Sequence, residues 1–182
     1  MDYYKNTKDY VYKKRVKELN LDAVRPTRAG VILYTKVDGE YFFAMGVDTR
    51  SGEYTDFGGG ISYKEGADKN VIMGALREFD EETLGIFGSV DYDQVRDSLV
   101  LYNHFNLIIF KYIHALPSDV VSAFRMQYNI NVVKYPTVIP EVSSIVWFNQ
   151  AEFRNIIMKR GMLFHRIQNF LQKAGNFYWL LD

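Results

Sequence analysis

Residues 57–86 read FGGGISYKEGADKNVIMGALREFDEETLGI: a brief strand, three glycines, a polar loop and a helix dense in carboxylates. Val71, Ala75, Leu76 and Phe79 recur at spacings that keep one apolar side over 70–83. Asp68 suits the N-cap and Gly85 ends the segment. On that helix Glu78 meets Glu81 and Glu82 at i+3 and i+4, so three carboxylates share a face while Asp80 points away. Like charges at this spacing repel, and something must offset them. One answer is a hard divalent cation, Mg²⁺ or Mn²⁺, which prefers oxygen ligands and bridges to phosphates. The other is a solvated acidic face on which Arg77 pairs with Glu81 at i+4. Glycines 58–60 ahead of the loop allow a close backbone approach that side chains would obstruct.

Working outward, 28–37 (RAGVILYTKV) is rich in β-branched and aromatic residues, Asp38-Gly39 is a hairpin turn, and 40–47 returns as a second strand. Strands follow at 54–57, 98–102, 105–114 and 142–148. A short helix is expected over 117–128, and one long helix, or two broken at Gly161, over 150–173. Helices and strands mix without regular βαβ alternation, which indicates an α+β chain or a three-layer sandwich. Ahead of the hairpin, residues 1–27 form a basic extension. Val11, Arg15, Val16 and Leu19 lie near helical spacing there, so 8–20 is expected to be an amphipathic helix. Residues 28–182 make the single domain.

Gly59, Glu65, Arg77-Glu78-Phe79-Asp80-Glu81-Glu82 and Gly85-Ile86 resemble the Nudix box, G-x5-E-x7-R-E-U-x-E-E-x-G-U with U aliphatic. Two spacings depart from it: eleven residues separate Glu65 from Arg77 where the pattern has seven, and two separate Glu82 from Gly85 where it has one. Without gaps Lys69, which cannot ligate a cation, would take the first Glu position; a loop insertion keeps Glu65 there. Nudix domains also open on such a hairpin and often carry a Glu before a strand ending in Trp, here Glu141 and Trp147.

Membership would imply an α/β/α sandwich with a mixed sheet and a hydrolase attacking a pyrophosphate that joins a nucleoside to another group. It would place Mg²⁺ or Mn²⁺ on Glu78, Glu81, Glu82 and the Gly59 carbonyl, with Arg77 orienting the carboxylates. Glu65, Glu81, Glu82 or Glu141 would take part in catalysis, and Arg28, Phe57, Gly58 and Gly60 would meet substrate. Tyr34, Phe43, Phe57, Tyr102 and Phe105 offer aromatic faces for a base, although strand aromatics also build cores.

Composition narrows the rest. The 182 residues contain no cysteine, which excludes a disulfide scaffold, a Cys-ligated zinc and a thiol nucleophile. A 24% charged fraction with 29 aromatic residues excludes a mainly disordered chain. No apolar run approaches the ~20 residues of a membrane span, and the basic, tyrosine-rich start lacks an apolar signal core. A cytoplasmic protein with no membrane partner, monomer or homodimer, is expected.

Net charge is zero, yet residues 1–28 carry +4, 29–149 carry −7 and 150–182 carry +3. An acidic middle inside a basic periphery suits an anionic substrate over a carboxylate-bound cation. Lys13, Lys14, Arg15, Lys17, Arg25 and Arg28 raise RNA as an alternative partner, and with it mRNA decapping. A Nudix-fold binding module without catalysis is the third reading. His104, His114 and His165 show no ligand spacing, and the apolar ending 177–181 is expected to pack on the domain or a partner.

Overall fold

The computed structural model describes residues 7–64 and 66–181. The element order is β1 (Tyr12–Arg15), β2 (Arg28–Val37), β3 (Glu40–Asp48), β4 (Tyr54–Thr55), β5 (Phe57–Gly60), α1 (Val71–Glu82), α2 (Tyr92–Val95), β6 (Leu99–Tyr102), β7 (Asn106–Tyr112), α3 (Pro117–Lys134), β8 (Val142–Asn149), α4 (Gln150–Met158) and α5 (His165–Ala174). All eight strands join one mixed sheet. β2 and β7 run parallel from Arg28↔Asn106 to Tyr34↔Tyr112, and the remaining pairings are antiparallel.

The other edge of β2 is shared. β5 takes residues 28–31 and β3 takes 33–37, so the glycine strand ends beside the start of β2. β3 carries β8 on its far side, with Ala44 opposite Trp147. The Asp38-Gly39 turn has both residues at positive φ, 51° and 79°, the geometry of a two-residue hairpin.

Strand alternation sends side chains to two cores. Ala29, Val31, Leu33, Phe57 and the apolar side of α1 (Val71, Ile72, Ala75, Leu76, Phe79) fill one face. Ile32, Tyr34, Phe43, Phe110 and the buried sides of α4 and α5 fill the other. The result is the α/β/α sandwich expected from the sequence. Phe177, Tyr178 and Leu181 close the second core, at 0–6% exposure, and Tyr34 Oη donates to the Leu181 carbonyl at 2.7 Å. The apolar ending therefore packs on its own domain.

Three expectations change. Residues 8–20 are not a helix: Tyr12–Arg15 is an edge strand on β6, with Tyr12 opposite Tyr102, followed by a 3-10 turn over Val16–Glu18. The apolar spacing also fits a strand and turn with Val11 and Val16 buried at either end, and the ladder to β6 settles the choice. Residues 1–6 of that extension lie outside the described residues. The cap of α1 is Asn70, whose side chain accepts from the Met73 N–H at 2.9 Å, and not Asp68. Third, α3 runs to Lys134, two turns beyond expectation.

Candidate active site

The helix α1 lies across β2 and β5 with its acidic end beside the glycines. Glu82 Oε2 accepts from the Gly58 N–H at 2.9 Å. A Cβ at Gly59 would stand 2.6 Å from the Glu78 carboxyl carbon, so only glycine leaves that carboxylate room. Gly58 is constrained differently: its Cβ would strike backbone, the Ala29 carbonyl at 2.6 Å and Gly30 Cα at 2.8 Å. Gly59 is thus a steric requirement of the strand and helix contact and Gly58 of the pairing with β2, whereas a Cβ at Gly60 would meet nothing within 4 Å.

Arg77 is the hub of the acidic face. Its Nε and Nη2 donate to Asp68 at 2.8 and 2.9 Å, its Nη1 to Glu78 at 3.1 Å and Glu81 at 3.3 Å, and its Nη2 also to the Gly60 carbonyl at 3.2 Å. The fork geometry of a guanidinium is what allows this many partners at once. The Asp68 side chain is 1% exposed and also accepts from the Ser62 N–H. Asp68 is therefore the residue the sequence pattern missed. It sits nine positions before Arg77, at no helical spacing, and is held in place by its hydrogen bonds with Ser62.

Glu78, Glu81 and Glu82, together with Gly59, Gly60, Leu84, Pro140 and Glu141, line a cavity of about 280 Å³. Burial pushes the Glu82 carboxyl up from 4.5 to about 9, and the negative charges of Asp56, Glu141 and Glu78 add to the rise while Arg28 opposes it. Glu78 is also raised, first by burial, with Arg77 opposing and Glu81 and Glu141 reinforcing. Glu141 lines the same cavity, and its charge adds to the rise of both carboxylates. Asp80 is exposed on the other side of the helix.

Among the described residues no three Asp, Glu or His side chains form a finished ion-binding set. Glu78 and Glu81 are turned to Arg77, and Glu82 to Gly58. The donors nevertheless fit a hard divalent cation. They are oxygen atoms, two of the carboxylates are charged only at an electrostatic cost, and a cation beside them relieves it.

Two expected substrate residues are elsewhere engaged. Arg28 is 7% exposed and clamps Asp56 through bonds of 2.7 and 3.0 Å; despite burial, which pulls downward, Asp56 raises its pKa. This pair ties the start of β2 to the β4–β5 junction. Phe57 is fully buried, edge-on to Phe79, and offers no face to a ligand. Gly58 is buried with its N–H on Glu82, whereas the backbone of Gly60 lines the cavity. Tyr34 and Phe43 are core, Tyr102 stacks on Tyr12, and Phe105 is 43% exposed. Glu65 lies outside the described residues.

Most of the basic N-terminal set is spent within the protein. Arg15 donates to the Leu180 carbonyl, Lys17 pairs with Asp97, Arg25 lies over Tyr63 and Arg28 binds Asp56. Among the described residues, no helix is long and apolar enough to cross a membrane.

No family model and no curated protein matches the chain. Among solved structures it is similar to the NUDIX domain of Shewanella oneidensis NrtR complexed with ADP ribose, at 13% identity over 84% of this chain and 89% of that one, TM-score 0.45. It is also similar to a C. elegans Ap4A hydrolase binary complex, at 13% identity over 81% and 93%, TM-score 0.44.

Proposed function

We propose that this chain is a metal-dependent hydrolase of the Nudix kind, cleaving the pyrophosphate linkage of a nucleoside diphosphate joined to another moiety. The observation that carries this reading is the convergence of Glu78 and Glu82 on Gly59 and Gly58 in one cavity that Glu141 also lines. The Nudix box resemblance of the sequence supports it independently.

In this reading Glu78 and Glu82 hold Mg²⁺ or Mn²⁺, with Glu81 and the Gly59 carbonyl completing the set. The ion, when bound, neutralises diphosphate charge and lowers the pKa of a coordinated water. The chain supplies the rest. Arg77, locked by Asp68, fixes the directions of Glu78 and Glu81. The Gly58 N–H fixes Glu82. Water oxygen bonds to one phosphorus, the bridging P–O bond breaks with its electron pair leaving on the departing phosphate, and the water's proton passes to a carboxylate. Glu141, which lines the same cavity as Glu78 and Glu82, is the proposed acceptor; Glu65 is the other carboxylate the motif offers. Arg28 serves this site indirectly, by neutralising Asp56 behind Glu82.

The test is direct. The protein is incubated with Mg²⁺ or Mn²⁺ and a panel of ADP-ribose, dinucleoside polyphosphates, oxidised nucleoside triphosphates and capped RNA, and the products are identified. Hydrolysis of a member at a pyrophosphate bond, lost on chelation, is expected. No hydrolysis of any member would overturn the reading.

A further inference from the structure

A cavity larger than that at the carboxylates lies elsewhere in the molecule. It measures about 560 Å³ and lies between α5 and the β6–β7 turn, on the opposite face of the sheet. That is the size range of pockets that take small ligands. Its walls include Asn103, Phe105 and Asn106 from the turn and His165, Arg166 and Asn169 from α5, and the Lys173–Asp9 ion pair of 3.2 Å also borders it.

Asn106 is the telling residue. It is 7% exposed, and its Oδ1 has no hydrogen-bond partner among the described residues. Its Nδ2 makes a 3.4 Å contact to the Arg166 carbonyl. Exchanging the amide's oxygen and nitrogen would leave a nitrogen unmatched instead. A buried polar atom without a partner is costly, and because Asn106 lines the cavity, rotation of its amide brings that atom to a ligand held there.

The neighbours define its chemistry. Asn103 Oδ1 is occupied by the N–H groups of Phe105 and Asn106 at 2.8 Å, which holds the turn rigid. Among the described residues the Asn103 amide nitrogen and the exposed Asn169 side chain make no hydrogen bond, so two further amides have capacity to spare. Phe105, 43% exposed, supplies an aromatic face. Amides that both donate and accept, beside an aromatic ring, read the hydrogen-bonding edge of a heterocyclic base.

The position connects this cavity to the carboxylates. Gly60, Arg28 and Asn106 are lateral partners on β5, β2 and β7, about 10 Å across two strand spacings. The Gly60 backbone lines the carboxylate cavity. By strand alternation its missing side chain faces the α5 side, where a Cβ would meet nothing within 4 Å. Gly60 thus leaves the strand end open on the α5 side, on the line through Arg28 that leads to Asn106.

From this geometry we infer that the α5 cavity receives the base of the same substrate whose diphosphate lies at Glu78 and Glu82. This rests on the hydrolase reading above. Asn106 and Phe105 then determine which base is accepted, and Asn169 contributes from α5.

The test is an NMR titration of the full-length protein with AMP, GMP, CMP and UMP, using ribose 5-phosphate as the base-free control, alongside steady-state kinetics. At least one nucleotide should bind at least tenfold tighter than the control and shift the amide signals of Asn103, Phe105 and Asn106. Asn169→Ala, at an exposed position that leaves the fold intact, should weaken that nucleotide severalfold and the control not at all. Asn106→Leu and Phe105→Ala should abolish the preference and raise KM more than they lower kcat. Equal binding of all four nucleotides and the control, or a preference untouched by Asn169→Ala and Phe105→Ala, would overturn the inference. The two readings fail separately. Hydrolysis with a KM indifferent to these variants sinks the base cavity alone, whereas base-dependent binding at these residues without hydrolysis sustains the cavity and sinks the hydrolase reading.

Discussion

Arg77 and Asp68 are joined by two N–H···O bonds of 2.8 and 2.9 Å, and this pair fixes the guanidinium from which Glu78 and Glu81 take their directions. Hydrogen bonding to Arg77 also lowers the pKa of Asp68. Asp68→Ala should cost about 1–3 kcal/mol, since it removes a charge-assisted contact and leaves the Ser62 N–H unpaired. Arg77→Lys keeps the charge but cannot reach Asp68, Glu78 and Gly60 together, so turnover should fall by about 10–100-fold. Urea melts and steady-state rates of the two variants check both figures.

The two inner glycines should separate stability from activity. At Gly59 the added methyl meets only the end of the flexible Glu78 side chain, so Gly59→Ala should fold within about 1 kcal/mol of wild type yet lose most activity. At Gly58 it meets backbone, and Gly58→Ala should lose about 1–3 kcal/mol of stability. Denaturation midpoints and activity of the pair, measured side by side, decide this.

How much of this was legible beforehand depends on the range of the interaction. The 28–48 hairpin and α1 were readable because local signals, an Asp-Gly turn and one apolar helix side, agree with their final packing. The convergence of Glu78 and Glu82 followed from helix spacing together with the glycine run. Residues 12–15 misled because an exposed edge strand, YKKR, has almost no apolar pattern of its own and is defined by its ladder to β6. Arg28 looked like a free cation because its partner, Asp56, lies 28 positions away in an unremarkable polar stretch. The α5 cavity had no sequence signal, since its walls come from 103–106 and 165–169.

The Arg28 and Asp56 pair is structural, and its loss should appear as unfolding. Asp56 is fully buried, so Arg28→Met leaves an unpaired carboxylate in the interior and should cost about 3–5 kcal/mol. Thermal and urea melts would register it. A fully stable variant with weakened nucleotide binding would return Arg28 to the substrate.

The buried carboxylates set a pH dependence. Glu82 titrates near 9 in the folded chain against 4.5 when exposed, and Glu78 shifts the same way. Between those values the folded state holds more protons than the unfolded, so metal-free stability is greatest in acid and declines as pH rises toward 9. Asp68 and Asp48, both lowered, act oppositely but only as pH falls through the ordinary carboxylate range. Melting temperature without metal should therefore fall from pH 5.5 to 9, and Glu82→Gln should flatten the slope. Added Mg²⁺ should raise it more at pH 8 than at pH 5.5, because binding requires the ionised carboxylates.

The most direct measurement is the turnover of Glu78→Gln and Glu82→Gln on a pyrophosphate substrate that the wild-type protein hydrolyses with Mg²⁺ or Mn²⁺. Each should fall by about 100-fold or more, the worth of a group that positions a Lewis acid, while the fold remains intact and the metal-free melting temperature of Glu82→Gln equals or exceeds wild type. Near-wild-type rates in both would contradict the assignment of these carboxylates to the cation and with it the proposed function.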